Sequence, residues 1–94
     1  PWKRGSIPLG TATMTFYVYL ISSKDKKRTI SYVGYTNDIK KRIRLHNNSK
    51  GAKFTKGRIW KLKYFKSYNS KRKAMREEYI LKKNSKLRNI LKKD

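Results

Sequence analysis

The 94 residues contain no cysteine, which removes disulfides, thiolate metal sites and a cysteine nucleophile together and leaves zinc-finger folds out of account. A cysteine-free chain is expected in an intracellular setting. Long apolar runs are missing too. Nothing approaches the roughly 20 residues that a membrane-spanning helix needs, and no signal-peptide pattern opens the chain, so no membrane partner is expected. Acid is the third shortage: 5 Asp and Glu stand against 27 Lys and Arg, a formal net charge of +22. A folded body with that excess repels itself, and a polyanionic partner is the physical reason to tolerate it. Nucleic acid is therefore the expected partner.

What is present is enough to fold. Hydrophobic residues make up 36% and aromatics 13%, too much for a disordered polycation and enough for one small α+β core. Residues 1–13 (PWKRGSIPLGTAT) mix Pro, Gly, Ser and Thr without periodicity and read as a flexible leader, with Met14 a natural start and 14–94 a single domain. Thr15 to Ile21 (TFYVYLI) has the near-continuous apolar character of a strand covered on both faces. It belongs at the centre of its sheet. SSKDKKRT reads as a polar connector and ISYVGYT (30–36) as a second strand, giving a hairpin with a long loop. Asn37 and Asp38 offer a cap for a basic helix over 38–47, and 48–57 is loop-like, with room for one helical turn. In IWKLKYF (59–65) Trp60, Leu62 and Tyr64 alternate with lysines and are expected on one face of a third strand. Ser70 caps a longer helix, and a terminal helix follows Asn84. The expected architecture is α+β, a small three-stranded antiparallel sheet flanked by helices in the order β-β-α-β-α-α.

Polar residues sit on the wrong side of two of these helices. At 100° per residue, with Asp38 at zero, the apolar arc of the first helix runs from Leu45 at about 340° to Ile43 at about 140°, and Arg42 (about 40°) and His46 (about 80°) fall inside it. Lys40, Lys41 and Arg44 fall outside. In the second helix, with Ala74 at zero, Leu81 (about 340°) and Met75 (about 100°) bracket Glu78 at about 40°, and Glu77 lies at the edge. An inward Glu in so basic a chain is either the buried partner of Arg42 or a hard oxygen ligand for a cation such as Mg²⁺. A lone His46 would by itself be a satisfied core histidine. Arginine, histidine, tyrosines and a carboxylate together are what phosphodiester hydrolysis uses.

The same residues resemble the GIY-YIG nuclease domain. Tyr17-Val18-Tyr19 is similar to its first motif and Tyr32-Val33-Gly34 to its second. Arg42 and His46 follow Tyr32 at the family's spacing, and the stretch Lys71–Tyr79 resembles the helix that carries its metal-binding glutamate, here Glu78. Tyr17 replaces the motif's Gly, and Val18 and Val33 its Ile residues. Within the family the chain looks most similar to the stand-alone branch of structure-selective junction and flap resolvases with their small bacterial and viral relatives. The resemblance implies an endonuclease that hydrolyses DNA, in preference to RNA, on branched, flapped or otherwise structured substrates in repair or recombination. It implies Mg²⁺ (with Mn²⁺ able to substitute) at Glu78, Arg42 on the scissile phosphate, Tyr19 or Tyr32 as proton acceptor, and His46 as relay. Lys40, Lys41, Arg44, Lys53, Lys56 and Arg58 are the expected backbone contacts, binding by charge and shape rather than base identity. Two other readings fit the charge alone: a non-catalytic ribosomal-type binding module, and a degenerate nuclease fold serving as a subunit.

Overall fold

The computed structural model describes residues 15–93; the leader read at 1–13, and Met14, lie outside the described residues. Three strands, β1 (Phe16–Asp25), β2 (Arg28–Thr36) and β3 (Lys61–Tyr68), form an antiparallel sheet in the order β2-β1-β3. Helices α1 (Ile39–Asn47), α2 (Lys71–Lys83) and α3 (Ser85–Leu91) complete the α+β unit, with a 3₁₀ turn at Lys53–Thr55. Central placement of β1 is what its apolar run demands, since Val18, Tyr19, Leu20 and Ile21 are all buried.

The two faces of β1 feed two cores. Val18 and Leu20 pack with Val33, Ala74 and Leu81 on the α2 side, whereas Tyr19 and Ile21 pack with Trp60 and Ile43 on the α1 side. Burying each such side chain contributes roughly 1.5–3 kcal/mol. Each helix starts on the cap that the sequence offers: Asp38 accepts from the Lys41 N–H (3.1 Å), Ser70 from Lys73 (3.1 Å) and Asn84 from Leu87 (3.1 Å). No helix among the described residues is long and apolar enough to cross a membrane.

Three expectations change. The polar connector is not a long loop. β1 runs on to Asp25 and β2 begins at Arg28, so a two-residue turn, Lys26 and Lys27, closes a ladder in which Ser22 to Asp25 pair with Ser31 to Arg28. Ladder hydrogen bonds override the weak strand preference of Ser, Lys and Asp. In β3 the alternation breaks. Ile21 pairs with Leu62 but Leu20 with Tyr64, so Lys63 is an extra residue in a bulge. Past the bulge the strand changes face, and Tyr64 joins the Val18–Leu20 core while Trp60 joins the Tyr19–Ile21 core. Met75, expected inside the α2 arc, is 47% exposed, so the buried seam of that helix is narrower and runs through Ala74 and Leu81.

Candidate active site

Tyr19 is the hub of the inward polar cluster. It pairs across the ladder with Gly34, where a side chain would block the ring: a Cβ there would lie 2.5 Å from the Tyr19 hydroxyl and 2.7 Å from Cζ. The missing Cβ lets the phenol lie over β2 and reach α1. Replacing Gly34 with Ala should therefore overpack the site, with an expected cost of roughly 1–3 kcal/mol and a displaced phenol. Thermal unfolding and cleavage assays on Gly34→Ala would read the two effects separately, and an unchanged melting curve would show that the ring has room to move.

The hydroxyl meets His46, which helical geometry turns inward and the fold buries completely. Tyr19 Oη lies 2.8 Å from His46 Nε2, and His46 Nδ1 lies 2.8 Å from Thr55 Oγ1. The Thr55 hydroxyl donates to the Ala52 carbonyl at 2.7 Å. Its single proton is thereby used, so it accepts from Nδ1–H, and Nε2 is left bare to accept from the tyrosine. The result is a directed chain from Tyr19 through neutral His46 to Thr55 and a backbone carbonyl. Burial, and then the charge of Arg42, pushes the His46 pKa down, which keeps the ring neutral. Burial likewise pushes the Tyr19 pKa up to about 12; Arg42 opposes the rise through hydrogen bonding and charge, and Tyr32 and Glu78 add to it.

Sequence reading missed the support behind this relay. Thr55 is fully buried, and a Cβ on Gly51 would strike the His46 ring, 2.8 Å from Cε1. Trp60 Nε1 donates to the Thr55 carbonyl (3.0 Å), and Asn47 Oδ1 accepts from the Trp60 N–H (2.6 Å), tying loop 48–57 to α1. The only signal for any of this was a Gly and a Thr in an unperiodic segment.

The remaining predicted residues divide by position. Tyr32, on edge strand β2, is half-buried, its ring centroid 5.2 Å from that of His46 and stacked on Phe54 at 6.2 Å. Arg42 borders an open groove of about 430 Å³ with Tyr35, Thr36, Asn37 and Lys71, between α1 and the start of α2. Its Nε is buried without a hydrogen-bond partner; among the described residues only Arg88 Nε shares that condition. A buried orphan donor costs roughly 1–3 kcal/mol, so a bound acceptor would repay it. Glu78 arrives from the other helix with its side chain 18% exposed, paired only loosely with Lys82 at 3.6 Å. No ion pair joins it to Arg42 among the described residues, so the buried-partner reading of Glu78 finds no support.

Among the surface cations, Lys41, Arg44, Lys53 and Lys56 are exposed as expected. Lys40 borders a different groove, with Tyr17, Leu62 and Phe65, and is not brought to Arg42. Arg58 is committed elsewhere: it pairs with Asp25 at 3.2 Å and lies over the Phe54 ring at 5.7 Å. Lys71, not singled out in the sequence, stands beside Arg42 instead.

Among the described residues, Glu78 is the carboxylate whose charge acts on the Tyr19 hydroxyl, and no group of three or more His, Cys, Asp or Glu gathers. A cage-type site is thus not what this donor set builds. A single carboxylate suits Mg²⁺, which keeps several waters and takes its other oxygens from phosphate.

Comparison with known proteins identifies the family. Residues 15–90 match the family model described as the GIY-YIG catalytic domain. The UPF0213 protein YazA of Bacillus subtilis (strain 168) is 43% identical over 72 residues, 76% of this chain and 70% of its own. UPF0213 proteins of Bacillus licheniformis (44% over 72 residues, 76% and 71% of the two chains) and Clostridium perfringens (47% over 68 residues, 71% and 70%) are similar in the same way. These names state no activity. No solved structure matches.

Proposed function

Since this chain belongs to the GIY-YIG family of nuclease domains, we propose that it is a divalent-metal-dependent endonuclease that hydrolyses DNA phosphodiester bonds, with branched, flapped or otherwise structured DNA as substrate and Mg²⁺ as the cation. The observation that carries the proposal is the unpartnered Arg42 Nε beside the Tyr19–His46–Thr55 relay. A phosphate in the groove that Arg42 borders would meet its guanidinium, and Lys71 adds a second cation to the same groove.

Burial assigns different work to the two tyrosines. Tyr19 is 1% exposed and its hydroxyl already donates to His46, whereas Tyr32 is half-buried and its hydroxyl makes no hydrogen bond among the described residues. Tyr32 is thus the phenol that water can reach. Its hydroxyl orients the attacking water and takes up its proton while handing its own to the Tyr19 hydroxyl, and in the same step Tyr19, electrostatically coupled to Tyr32, passes its proton to His46 Nε2, which ends as the imidazolium. Because the transfers are coupled, no free phenolate has to form. Thr55 holds the ring in the tautomer that leaves Nε2 open. Arg42 binds the phosphate oxygens and stabilises the charge that develops as the water oxygen joins phosphorus and the P–O bond breaks. A divalent cation held by Glu78 would supply further charge neutralisation to the phosphoryl oxygens.

Incubating the protein with linear, flapped and branched duplexes, with Mg²⁺ or with EDTA, tests the proposal. Strand cleavage is expected with Mg²⁺, favouring the branched and flapped forms, and none with EDTA. Salt-sensitive binding without cleavage under Mg²⁺ or Mn²⁺ would instead identify a non-catalytic binding module. In the same assay, Lys41→Gln with Arg44→Gln should lower the salt slope of binding by about 2 without moving the cut. A slope equal to that of the parent would remove these side chains from the interface.

A further inference from the structure

The β1–β2 hairpin outruns its sheet. β3 pairs with β1 only from Phe16 to Ser22, yet β1 and β2 stay paired to Asp25 and Arg28, so the tip stands beyond the third strand as a two-stranded ribbon. Three consecutive cations, Lys26, Lys27 and Arg28, crown it, and all are exposed. The one acid at the tip does not neutralise them, because Asp25 is held by Arg58 from the loop before β3. That pair, with Ser22 and Ser23 of β1 buried at the ribbon's base, roots it on the body.

The turn itself carries an independent mark. Lys26 has φ +60°, the left-handed region where Gly, Asn or Asp is the ordinary choice. A lysine there accepts backbone strain that glycine would relieve, which makes sense if its charge is used.

We propose that this ribbon is a duplex-gripping arm, with Lys26, Lys27 and Arg28 contacting the phosphate backbone away from the cut. The proposal rests on the reading of the chain as a nucleic-acid-binding protein. A two-stranded ribbon is of a width that the major groove of DNA admits. Six residues of strand separate Tyr19 from Asp25, about 20 Å at strand rise. At about 3.4 Å per base pair, the tip meets backbone roughly six base pairs from the scissile phosphate. The enzyme would then require duplex of that length on one side of the cut. Contacts of this kind position without reading sequence.

The test is binding in EDTA, so that it does not depend on cleavage, to duplexes whose arm beside a flap is shortened stepwise. The variant is Lys26→Gly with Lys27→Gln and Arg28→Gln, in which the glycine suits the turn and the melting temperature should not fall. Loss of three phosphate contacts should leave its affinity falling about 40-fold less than the parent's between about 50 and 200 mM salt. The parent should weaken once the arm is shorter than about six base pairs, and the variant should not respond to arm length. Equal salt slopes and equal arm dependence in the two proteins would overturn the proposal. If the variant differs as expected but neither protein cuts DNA, the arm stands and the nuclease reading falls.

Discussion

Glu78→Ala is expected to lower Mg²⁺-stimulated cleavage by roughly 10³-fold, the equivalent of about 4 kcal/mol of transition-state charge stabilisation. The fold should not notice. Although the side chain is largely buried, at 18% exposed, its ion pair is the loose i,i+4 contact with Lys82 at 3.6 Å on one helix, worth about 0.3–0.5 kcal/mol. Alanine is also the better helix former. DNA binding in EDTA should hold or tighten, because an acid has left a basic surface. Loss of cleavage with intact melting and intact binding therefore isolates the chemistry.

The neighbouring acid supplies the control. Glu77 lies about 100° around the helix from Glu78, and its charge acts on Tyr68 of β3, where Glu78 acts on Tyr19. Glu77→Ala should leave cleavage within a few-fold of the parent. If Glu78→Ala cut as fast as the parent, or Glu77→Ala proved the inactive variant, the metal assignment to Glu78 would be wrong.

Much of this is legible in the sequence. A central strand needs no alternation, so TFYVYLI announced itself; the helical wheel turned Arg42, His46 and Glu78 inward, and of these His46 is buried and Arg42 and Glu78 are half-buried. What escaped was whatever depends on pairing rather than periodicity. The bulge at Lys63 shifts β3 by one residue and so exchanges its faces, a change that alternation, which assumes an unbroken period of two, could not anticipate. The hairpin tip was lost for a related reason: ladder pairing stabilises residues that composition assigns to a loop. Gly34 and Gly51 matter for the atoms they lack, and Thr55 becomes the anchor of His46 only after the loop folds over α1. Gly34 stands in the Tyr32-Val33-Gly34 motif, but nothing in that motif states why its Cβ must be missing, and Gly51 and Thr55 sit in a segment without periodicity.

The relay makes the last prediction, which concerns pH. His46 must be neutral to accept a proton at Nε2, and burial and the Arg42 charge push its pKa below the ordinary 6.5. Activity should thus stay level through neutral pH, with the acid limb of kcat/KM falling only below that value. Stability follows the same sign. In the window below 6.5 the unfolded chain takes up a proton at this histidine before the folded one does, so its contribution is full above the window and is lost as pH falls through the lowered pKa. His46→Gln keeps a ring-sized polar side chain that can donate and accept but cannot carry the proton. Its expected cost in stability is about 1–3 kcal/mol, from imperfect partners left for Tyr19 and Thr55. Its expected cost in rate is roughly 10²-fold or more. The diagnostic outcome is the shape of the profile: the acid limb should vanish in His46→Gln and survive in Lys41→Gln. A limb that persists unchanged without the imidazole would assign the titration to another group and leave His46 a packed core residue.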